Sequence, residues 1–203
     1  MKQIFFMMMI AAIASCSTGS KVFISEIEKK GIPDSIGDPV LRNLQKQNDL
    51  VIAFATENYA WIRNKTYLIL CKNGNEWTGY NYKKDEMPND KSYSLNEAKV
   101  NAVSCDSLLG FINKNKAWNI KGEDGSGKRC GDGNNNCNIT DASSNSLWLI
   151  TKEKYTAPYY YAPVFFEECC PGNAERKLFL IIGAKVYNIV SGNASSGETK
   201  VEY

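Results

Sequence analysis

The chemistry open to this chain is limited first by a missing residue type, because its 203 residues include no histidine. Histidine is the usual general base beside a serine or cysteine nucleophile, and it is also the commonest metal ligand. Its absence excludes Ser-His-Asp and Cys-His catalysis and any imidazole-bound metal. The 24 Lys and Arg residues nearly balance the 22 Asp and Glu residues, and the net charge of +2 is too small to indicate nucleic acid as a partner.

Paired carboxylates are the main route to acid–base catalysis in a protein without histidine. Glu167 and Glu168 are adjacent, but neighbouring side chains point apart on a strand and on a helix, so these two do not face one substrate. We therefore assign no catalytic residue, and enzymatic activity is the less favoured interpretation. The alternative that stays open is a hydrolase that uses Asp and Glu.

The loop over residues 121–146 contains two imperfect matches to ligand-binding motifs. Residues 122–128 have the glycine and lysine spacing of a phosphate-binding loop, but Arg129 stands where a Ser or Thr should hold magnesium. A second match, to a calcium-binding loop beginning at Asp132, lacks the Gly and the final Glu that such a loop requires. We predict neither a metal nor another cofactor.

An aromatic segment is the best candidate for a binding surface. Tyr159 and Tyr161 are two residues apart, so on a strand they share one face while Tyr160 points to the other. Trp148 belongs to the strand that we expect to pair with this segment. Exposed Tyr and Trp rings can stack on sugars or hold a peptide. We expect Tyr159, Tyr161 and Trp148 to bind a glycan, a peptide or another protein, and packing within the core is the alternative for the same rings.

Six cysteines follow the first twenty residues: Cys71, Cys105, Cys130, Cys137, Cys169 and Cys170. An even number outside the cytoplasm is typical of disulfides, and the closely spaced pairs that zinc sites use are missing. Cys130 and Cys137 flank a stretch rich in Gly and Asn, and we predict a bond between them. Cys169 and Cys170 are adjacent, so a bond between these two would be strained and each is expected to reach elsewhere. The remaining two end a strand and open a helix, and either could be a buried partner.

The first residues have the form of a processing signal. Lys2 precedes an uninterrupted apolar run over residues 4–14, which is too short to cross a bilayer as a helix. The run ends in Ile13-Ala14-Ser15-Cys16, which resembles the lipobox of bacterial lipoproteins. The resemblance implies cleavage before Cys16, diacylglycerol on its sulfur and a further acyl chain such as palmitate on its amino group. It places the protein at the cell envelope, with the outer membrane expected, and the sequence does not distinguish the leaflets.

Three segments of the remaining chain resemble bacterial secreted proteins that have no assigned activity. They are residues 105–112, 160–166 and 175–180. This resemblance gives no information about activity. Because no catalytic set of residues is found and the net charge is small, the expected function is a non-catalytic role in which the lipid-anchored protein binds a glycan, a peptide or an envelope partner. The alternative is a hydrolase without histidine that acts on envelope glycan with Asp and Glu.

The elements that must position these residues are predicted to form one α+β domain over residues 21–192. A signal peptide (1–15) and a lipidated tether (16–20) precede it, and a polar tail (193–203) follows. Helical spacing and N-cap residues predict helices over 21–30, from Asp38 onward, over 106–116 and from Asn173 to about 192. Strands are predicted over 50–55, 66–71, 76–82, 99–104, 146–151 and 155–161, with a turn at Asn73-Gly74. We expect an antiparallel sheet of four to six strands with the helices packed on one side.

The lipobox match generates a testable prediction about Cys16. We expect the mature protein to begin at Cys16 and to carry diacylglycerol on its sulfur, because this is the modification that a lipobox directs. Mass spectrometry of the mature amino terminus measures it directly. A terminus at any other residue, or an unmodified Cys16, would contradict the prediction.

Overall fold

The computed structural model describes residues 36–58, 63–87, 90–123, 130 and 137–192. The helix predicted over residues 21–30, the lipobox at Cys16 with its tether, and the tail after residue 192 lie outside these residues. They stay predictions.

Within the described residues, four helices and seven strands occur in mixed order. The helices are α1 (Pro39–Gln47), α2 (Ala102–Lys114), α3 (Pro163–Cys169) and α4 (Ala174–Val190), and a short 3-10 turn (Ala117–Asn119) follows α2. The strands are β1 (Leu50–Asn58), β2 (Arg63–Asn73), β3 (Glu76–Met87), β4 (Asp90–Ala98), β5 (Ser144–Thr151), β6 (Tyr155–Thr156) and β7 (Tyr159–Tyr161). All pair antiparallel in one sheet of order β4-β3-β2-β1-β5-β6, and β7 also pairs with β5. The predicted α+β class is confirmed, with seven strands rather than four to six.

Local sequence signals set the start of two helices. The Asp38 side chain accepts hydrogen bonds from backbone N–H groups in the first turn of α1, and Pro39 takes the first helical position, where its missing N–H does no harm. The Asn173 side chain accepts a hydrogen bond of 3.0 Å from the N–H of Arg176 at the start of α4. Both predicted N-caps are confirmed.

Strands β2 and β3 form the hairpin that the Asn73-Gly74 pair predicts. Gly74 has a φ of 58°, a left-handed conformation that glycine adopts without a steric penalty. From this turn the pairing continues without a bulge to Arg63 opposite Glu86. The turn therefore decides which residues of β2 and β3 share a face.

The central strand β1 is buried on both of its faces, so the sheet has a core on each side. On the first side, which we call the α4 face, α2 and α4 pack against Leu50 and Ile52. On the second side, the α1 face, Leu41 and Leu44 of α1 belong to the same core as Val51. Helices were expected on one side of the sheet. Two of them, α2 and α4, share a side, whereas α1 covers the opposite face.

The chain before α2 differs from its prediction. Residues 99–104 were expected to form a strand, but Asn101 is the N-cap of α2 and its side chain accepts a hydrogen bond from the N–H of Ser104. Asp106, the expected N-cap, lies inside the helix and accepts a hydrogen bond from Nε1 of Trp77 at 2.9 Å. Strand β4 was not predicted, because its polar and apolar residues alternate only over residues 92–96, and residues 92–97 are exposed on both faces.

Two disulfides join the long loop to the end of α3. Cys130 is bonded to Cys170 and Cys137 to Cys169, with Cα–Cα distances of 5.6 and 5.9 Å. The predicted bond between Cys130 and Cys137 is therefore wrong. The sequence analysis did not identify α3, and the end of this helix is what presents the two adjacent cysteines to separate partners in the loop.

Cys71 and Cys105 are free and buried, so their expected role as disulfide partners is also wrong. Cys71 belongs to the core on the α1 face and Cys105 to the core on the α4 face, so the sheet lies between them. Burial raises the pKa of Cys71 to about 12 and that of Cys105 to about 11. Because the thiolate is the reactive form, neither residue should react readily in the folded protein.

The core on the α4 face generates a stability prediction for Ile182, whose side chain is fully buried. Ile182→Ala should lower the free energy of unfolding by about 2–5 kcal/mol, because it removes buried carbon atoms and leaves a cavity. The control is Tyr187→Ala on the same helix, where the ring is exposed and the expected change is within about 0.5 kcal/mol. Urea unfolding followed by circular dichroism measures both. Equal midpoints for the two variants would show that α4 is peripheral.

The disulfide pairing is tested with two double variants. Cys130→Ser with Cys170→Ser should keep the bond between Cys137 and Cys169. Cys130→Ser with Cys137→Ser should instead leave both Cys169 and Cys170 as thiols, because a bond between adjacent residues is strained. Alkylation in denaturant without a reductant should therefore label two more thiols in the second variant than in the first. The reverse order would support the local Cys130–Cys137 bond.

Candidate functional site

A pocket of about 280 Å³ lies on the α1 face, beside the N-terminus of α1. Its volume is close to the lower end of the range of about 300–1,000 Å³ that is typical of small-molecule sites. The lining combines two aromatic residues, three cations and two carboxylates: Tyr67 and Trp148; Arg63, Lys65 and Lys84; Asp38 and Glu57. The formal charge of the lining is therefore one positive.

The register of the sheet explains why the charged side chains meet. Glu57 on β1 lies opposite Lys65 on β2, and Lys65 lies opposite Lys84 on β3. Because alternate residues of a strand point to the same face, Arg63 and Tyr67 share the face of Lys65. A row of charged residues therefore crosses β1, β2 and β3 near the C-terminal end of β1.

The Glu57 carboxylate holds two of the cations. Its Oε1 lies 2.8 Å from Nε of Arg63, and its Oε2 lies 3.3 Å from Nζ of Lys65. The same Lys65 nitrogen is 5.3 Å from the ring centroid of Tyr67, within the range of a cation–π contact. The Glu57 side chain is 12% exposed, so water and salt screen these contacts less than at an open surface. The cations are thus positioned by the protein itself.

The aromatic ring of Tyr67 is fixed by its neighbours. Tyr67 stacks on Tyr82, with ring centroids 5.0 Å apart. The Tyr82 hydroxyl donates a hydrogen bond to Oδ2 of Asp38 at 3.2 Å, and Oδ1 of Asp38 caps α1. One carboxylate therefore connects the helix, the ring stack and the pocket wall.

Trp148 is held on the other side of the pocket by β5 and β6. Its ring stacks on Tyr155, with centroids 5.8 Å apart, and its Nε1 donates a hydrogen bond to Oγ of Ser146 at 3.0 Å. Trp148 is half-buried and still lines the pocket. The indole ring is therefore held in place by its neighbours and still presents surface to the pocket.

Tyr159 and Tyr161 share one face, as expected, and Trp148 points to the same face. Tyr159 and Tyr161 pair with Ser146 and Ser144, which point to the same face as Trp148. Trp148 lines the pocket, whereas the pocket lining that the structure describes does not include either tyrosine. Tyr159 is exposed, and the Tyr161 hydroxyl accepts a hydrogen bond from the N–H of Ala142, so Tyr161 organises the neighbouring chain.

Tyr160 points to the opposite face, as strand alternation predicts. It is buried in the core on the α4 face, against Phe179. Burial raises the pKa of Tyr160 to about 12. The Tyr160 hydroxyl has no hydrogen-bond partner among the residues described.

The sequence analysis named Asp38 only as a helix N-cap, and it did not select the other four charged residues of the pocket, which are Glu57, Arg63, Lys65 and Lys84. One signal could have found part of this set, because the Asn73-Gly74 turn fixes the β2–β3 register and places Lys65 opposite Lys84. The position of Glu57 depends on the pairing of β1 with β2, which the sequence does not specify. The connecting residues 59–62 lie outside the described chain.

The adjacent carboxylates Glu167 and Glu168 have different surroundings. Glu167 accepts a hydrogen bond of 2.9 Å from Nε of Arg176, whereas Glu168 is exposed. Arg176 is 2% exposed, and its Nη2 also donates to the carbonyl oxygen of Cys170 at 2.6 Å. A buried guanidinium needs such partners, because an unpaired buried charge is strongly destabilising. Glu167 therefore joins α3 to α4.

The pKa values of two carboxyl groups, Asp49 and Asp106, are lowered. The hydrogen bond from Lys152, followed by that from the N–H of Gly74, lowers the pKa of Asp49. The hydrogen bond from Trp77 is the largest influence that lowers the pKa of Asp106. The general acid of a glycoside hydrolase needs a raised pKa, so these two groups are tuned in the opposite direction.

Three sulfur atoms are close enough to be considered as metal ligands. The Sγ atoms of Cys130, Cys137 and Cys170 lie within 4.8 Å of one another. All three belong to disulfides, and a disulfide sulfur is not the thiolate that binds zinc. The expectation of no metal and no cofactor stays a prediction.

In the parts of the chain that the structure describes, no helix has both the length and the apolar character needed to cross a bilayer. The chain matches no model of a known protein family, and no curated protein matches it. Function is therefore inferred from the pocket and from the sequence signals.

Proposed function

We propose that this protein is a lipid-anchored, non-catalytic binding protein of the bacterial cell envelope. Its ligand is a sugar ring that carries a carboxylate or a phosphate, within an envelope glycan. The observation that carries the proposal is the placement of Trp148 and Tyr67 in one pocket with Arg63, Lys65 and Lys84.

The aromatic residues of the pocket are the reason for proposing a sugar as the ligand. A pyranose ring has apolar C–H faces that pack on an aromatic ring, while its hydroxyls stay available for hydrogen bonds. Trp148 is half-buried and supplies the accessible ring, and its stacking on Tyr155 means that little side-chain entropy is lost when a ligand binds. Tyr67 is 2% exposed and stacked on Tyr82, so it supports the base of the pocket and does not offer a stacking face. The volume of about 280 Å³ suits one ring-sized unit of a longer chain.

The cations of the pocket are the reason for proposing that the sugar carries an acidic group. Arg63 and Lys65 already share the Glu57 carboxylate, and Lys84 extends the same row. Charge-assisted hydrogen bonds to a carboxylate or phosphate are stronger than those to neutral oxygens. Arg63 is 57% exposed, so its contribution should weaken as salt is added.

The lipobox supports the location. Lipid on Cys16 would hold the pocket near a membrane surface, because the chain between Cys16 and Ile36 spans at most about 70 Å. Envelope glycans lie within that distance of the membrane. The near-neutral net charge gives no support to a nucleic-acid ligand.

The pocket predicts a specific pattern of affinities. With an oligogalacturonate as the acidic probe and the corresponding neutral oligogalactoside as the reference, the wild-type protein should prefer the acidic ligand. Trp148→Ala should weaken binding of both by about tenfold, because it removes the stacking surface. Lys65→Ala should weaken binding of the acidic probe alone, by about tenfold. Isothermal titration calorimetry at low and high salt measures the six affinities, three proteins with two probes each.

Two variants outside the pocket serve as matched controls. Tyr187→Ala removes an exposed aromatic ring from α4, and Lys152→Ala removes an exposed cation that pairs with Asp49. Neither should change the affinity by more than about twofold. Equal binding of the acidic and neutral probes, or unchanged binding by Trp148→Ala, would refute the proposal. Cleavage of the probe would instead support the hydrolase alternative.

A further inference from the structure

Strand β4 forms one edge of the sheet. It pairs with β3, and no strand among the described residues lies on its other side. The β3–β4 pairing runs from Gly79 opposite Ala98 to Met87 opposite Asp90 without a bulge. An edge strand of this kind presents backbone N–H and C=O groups that another strand can bind, and proline or a bulge, which often protect such edges, does not occur in β4.

Two large apolar side chains are exposed on β4. Tyr93 is 73% exposed and Leu95 is 40% exposed. They are two residues apart and therefore share a face, and Leu95 lies opposite Tyr82, which belongs to the core on the α1 face. The edge thus combines backbone groups available for pairing with an apolar surface beside the existing core.

We propose that β4 pairs antiparallel with β4 of a second copy of this chain, in the register centred on Ser94. This register pairs all nine residues of the strand, from Asp90 opposite Ala98 to Ala98 opposite Asp90. Any other symmetric register leaves residues at the ends of β4 without partners in the second copy. The two-fold symmetry makes the contact self-complementary and closed, so it yields a dimer and not a fibre.

The sequence of β4 is complementary to itself in this register. Tyr93 lies opposite Leu95 of the second copy, which is an aromatic–aliphatic pair, and Lys91 lies opposite Glu97, which are residues of opposite charge. Shifting the centre to Tyr93 would place Lys91 opposite Leu95. Shifting it to Leu95 would place Tyr93 opposite Glu97. The chemistry of the side chains therefore selects the same register as the length of the strand.

Cysteine cross-linking of the full-length protein in its native envelope tests the register. In the proposed dimer, the two copies of residue 94 have Cα atoms about 4.5–5.5 Å apart, which a disulfide can span. Ser94→Cys should form a covalent dimer on mild oxidation, seen on a non-reducing gel. Ser92→Cys is the matched control, because the two copies of residue 92 lie about 13 Å apart. No covalent dimer with Ser94→Cys, or equal dimer formation by both variants, would overturn the proposal.

A charge exchange in the Ser94→Cys background tests whether the partner of β4 is the same strand of a second copy. Lys91→Glu places two carboxylates opposite each other, and Glu97→Lys places two ammonium groups opposite each other, so each should reduce cross-linking about tenfold. Co-expression of these two variants, carrying different tags, restores opposite charges at both positions. The mixed dimer should therefore form at the original level, and so should the dimer of the double variant Lys91→Glu with Glu97→Lys.

The mixed dimer also separates lost pairing from misfolding. A variant that failed to fold would not recover when it is co-expressed with another variant, whereas a folded variant with a reversed charge would. If the co-expressed pair stays monomeric, β4 does not pair with itself in this register and the proposal is wrong.

Discussion

The burial of β1 on both faces is the constraint from which the rest of the structure follows. Residues 50–53 and 55 are buried, and such an unbroken apolar strand needs a covering layer on each side. Helices α2 and α4 supply a wide layer on one face, whereas α1 has nine residues and supplies a narrow layer on the other. The charged ends of β1, β2 and β3 therefore line a pocket next to the N-terminus of α1. The pocket results from the unequal cover of the two faces.

A separate set of interactions joins α3 to α4 and to the loop cysteines Cys130 and Cys137. The buried Arg176 binds Glu167 and the carbonyl oxygen of Cys170, while the two adjacent cysteines at the end of α3 are bonded to the loop. Removing Glu167 would leave the buried charge of Arg176 without its carboxylate partner. Removing either disulfide would take away one cross-link between the loop and the end of α3. These interactions stabilise the scaffold and do not contribute side chains to the pocket. Glu167, which the sequence analysis considered as a catalytic carboxylate, belongs to this structural set.

Sequence reasoning succeeded where the signal was local and failed where it depended on distant partners. Asp38 and Asn173 were identified as N-caps because a cap is set by a few adjacent residues. The strand at residues 90–98 has only two alternating apolar residues, Tyr93 and Leu95, and both are exposed, so it lacks the longer apolar pattern by which strands are recognised. The disulfide partners could not be chosen because they depend on α3, which was not identified. In the candidate site, Trp148 was found from its aromatic character, whereas Glu57 and the cations meet only after the strand order is known.

Strand β3 connects the pocket with the edge of the sheet, because Lys84 lies opposite Lys65 on one side and opposite Tyr93 on the other. Paired residues of antiparallel strands point to the same face, so the two-fold axis of the proposed dimer is perpendicular to the sheet. Both pockets then open on the same side of one continuous sheet. A glycan with repeated acidic sugars could occupy both pockets, and the second contact would form at a high effective concentration. A small and partly screened pocket, weak when it acts alone, would in this arrangement hold a polymeric ligand much more tightly than a single sugar.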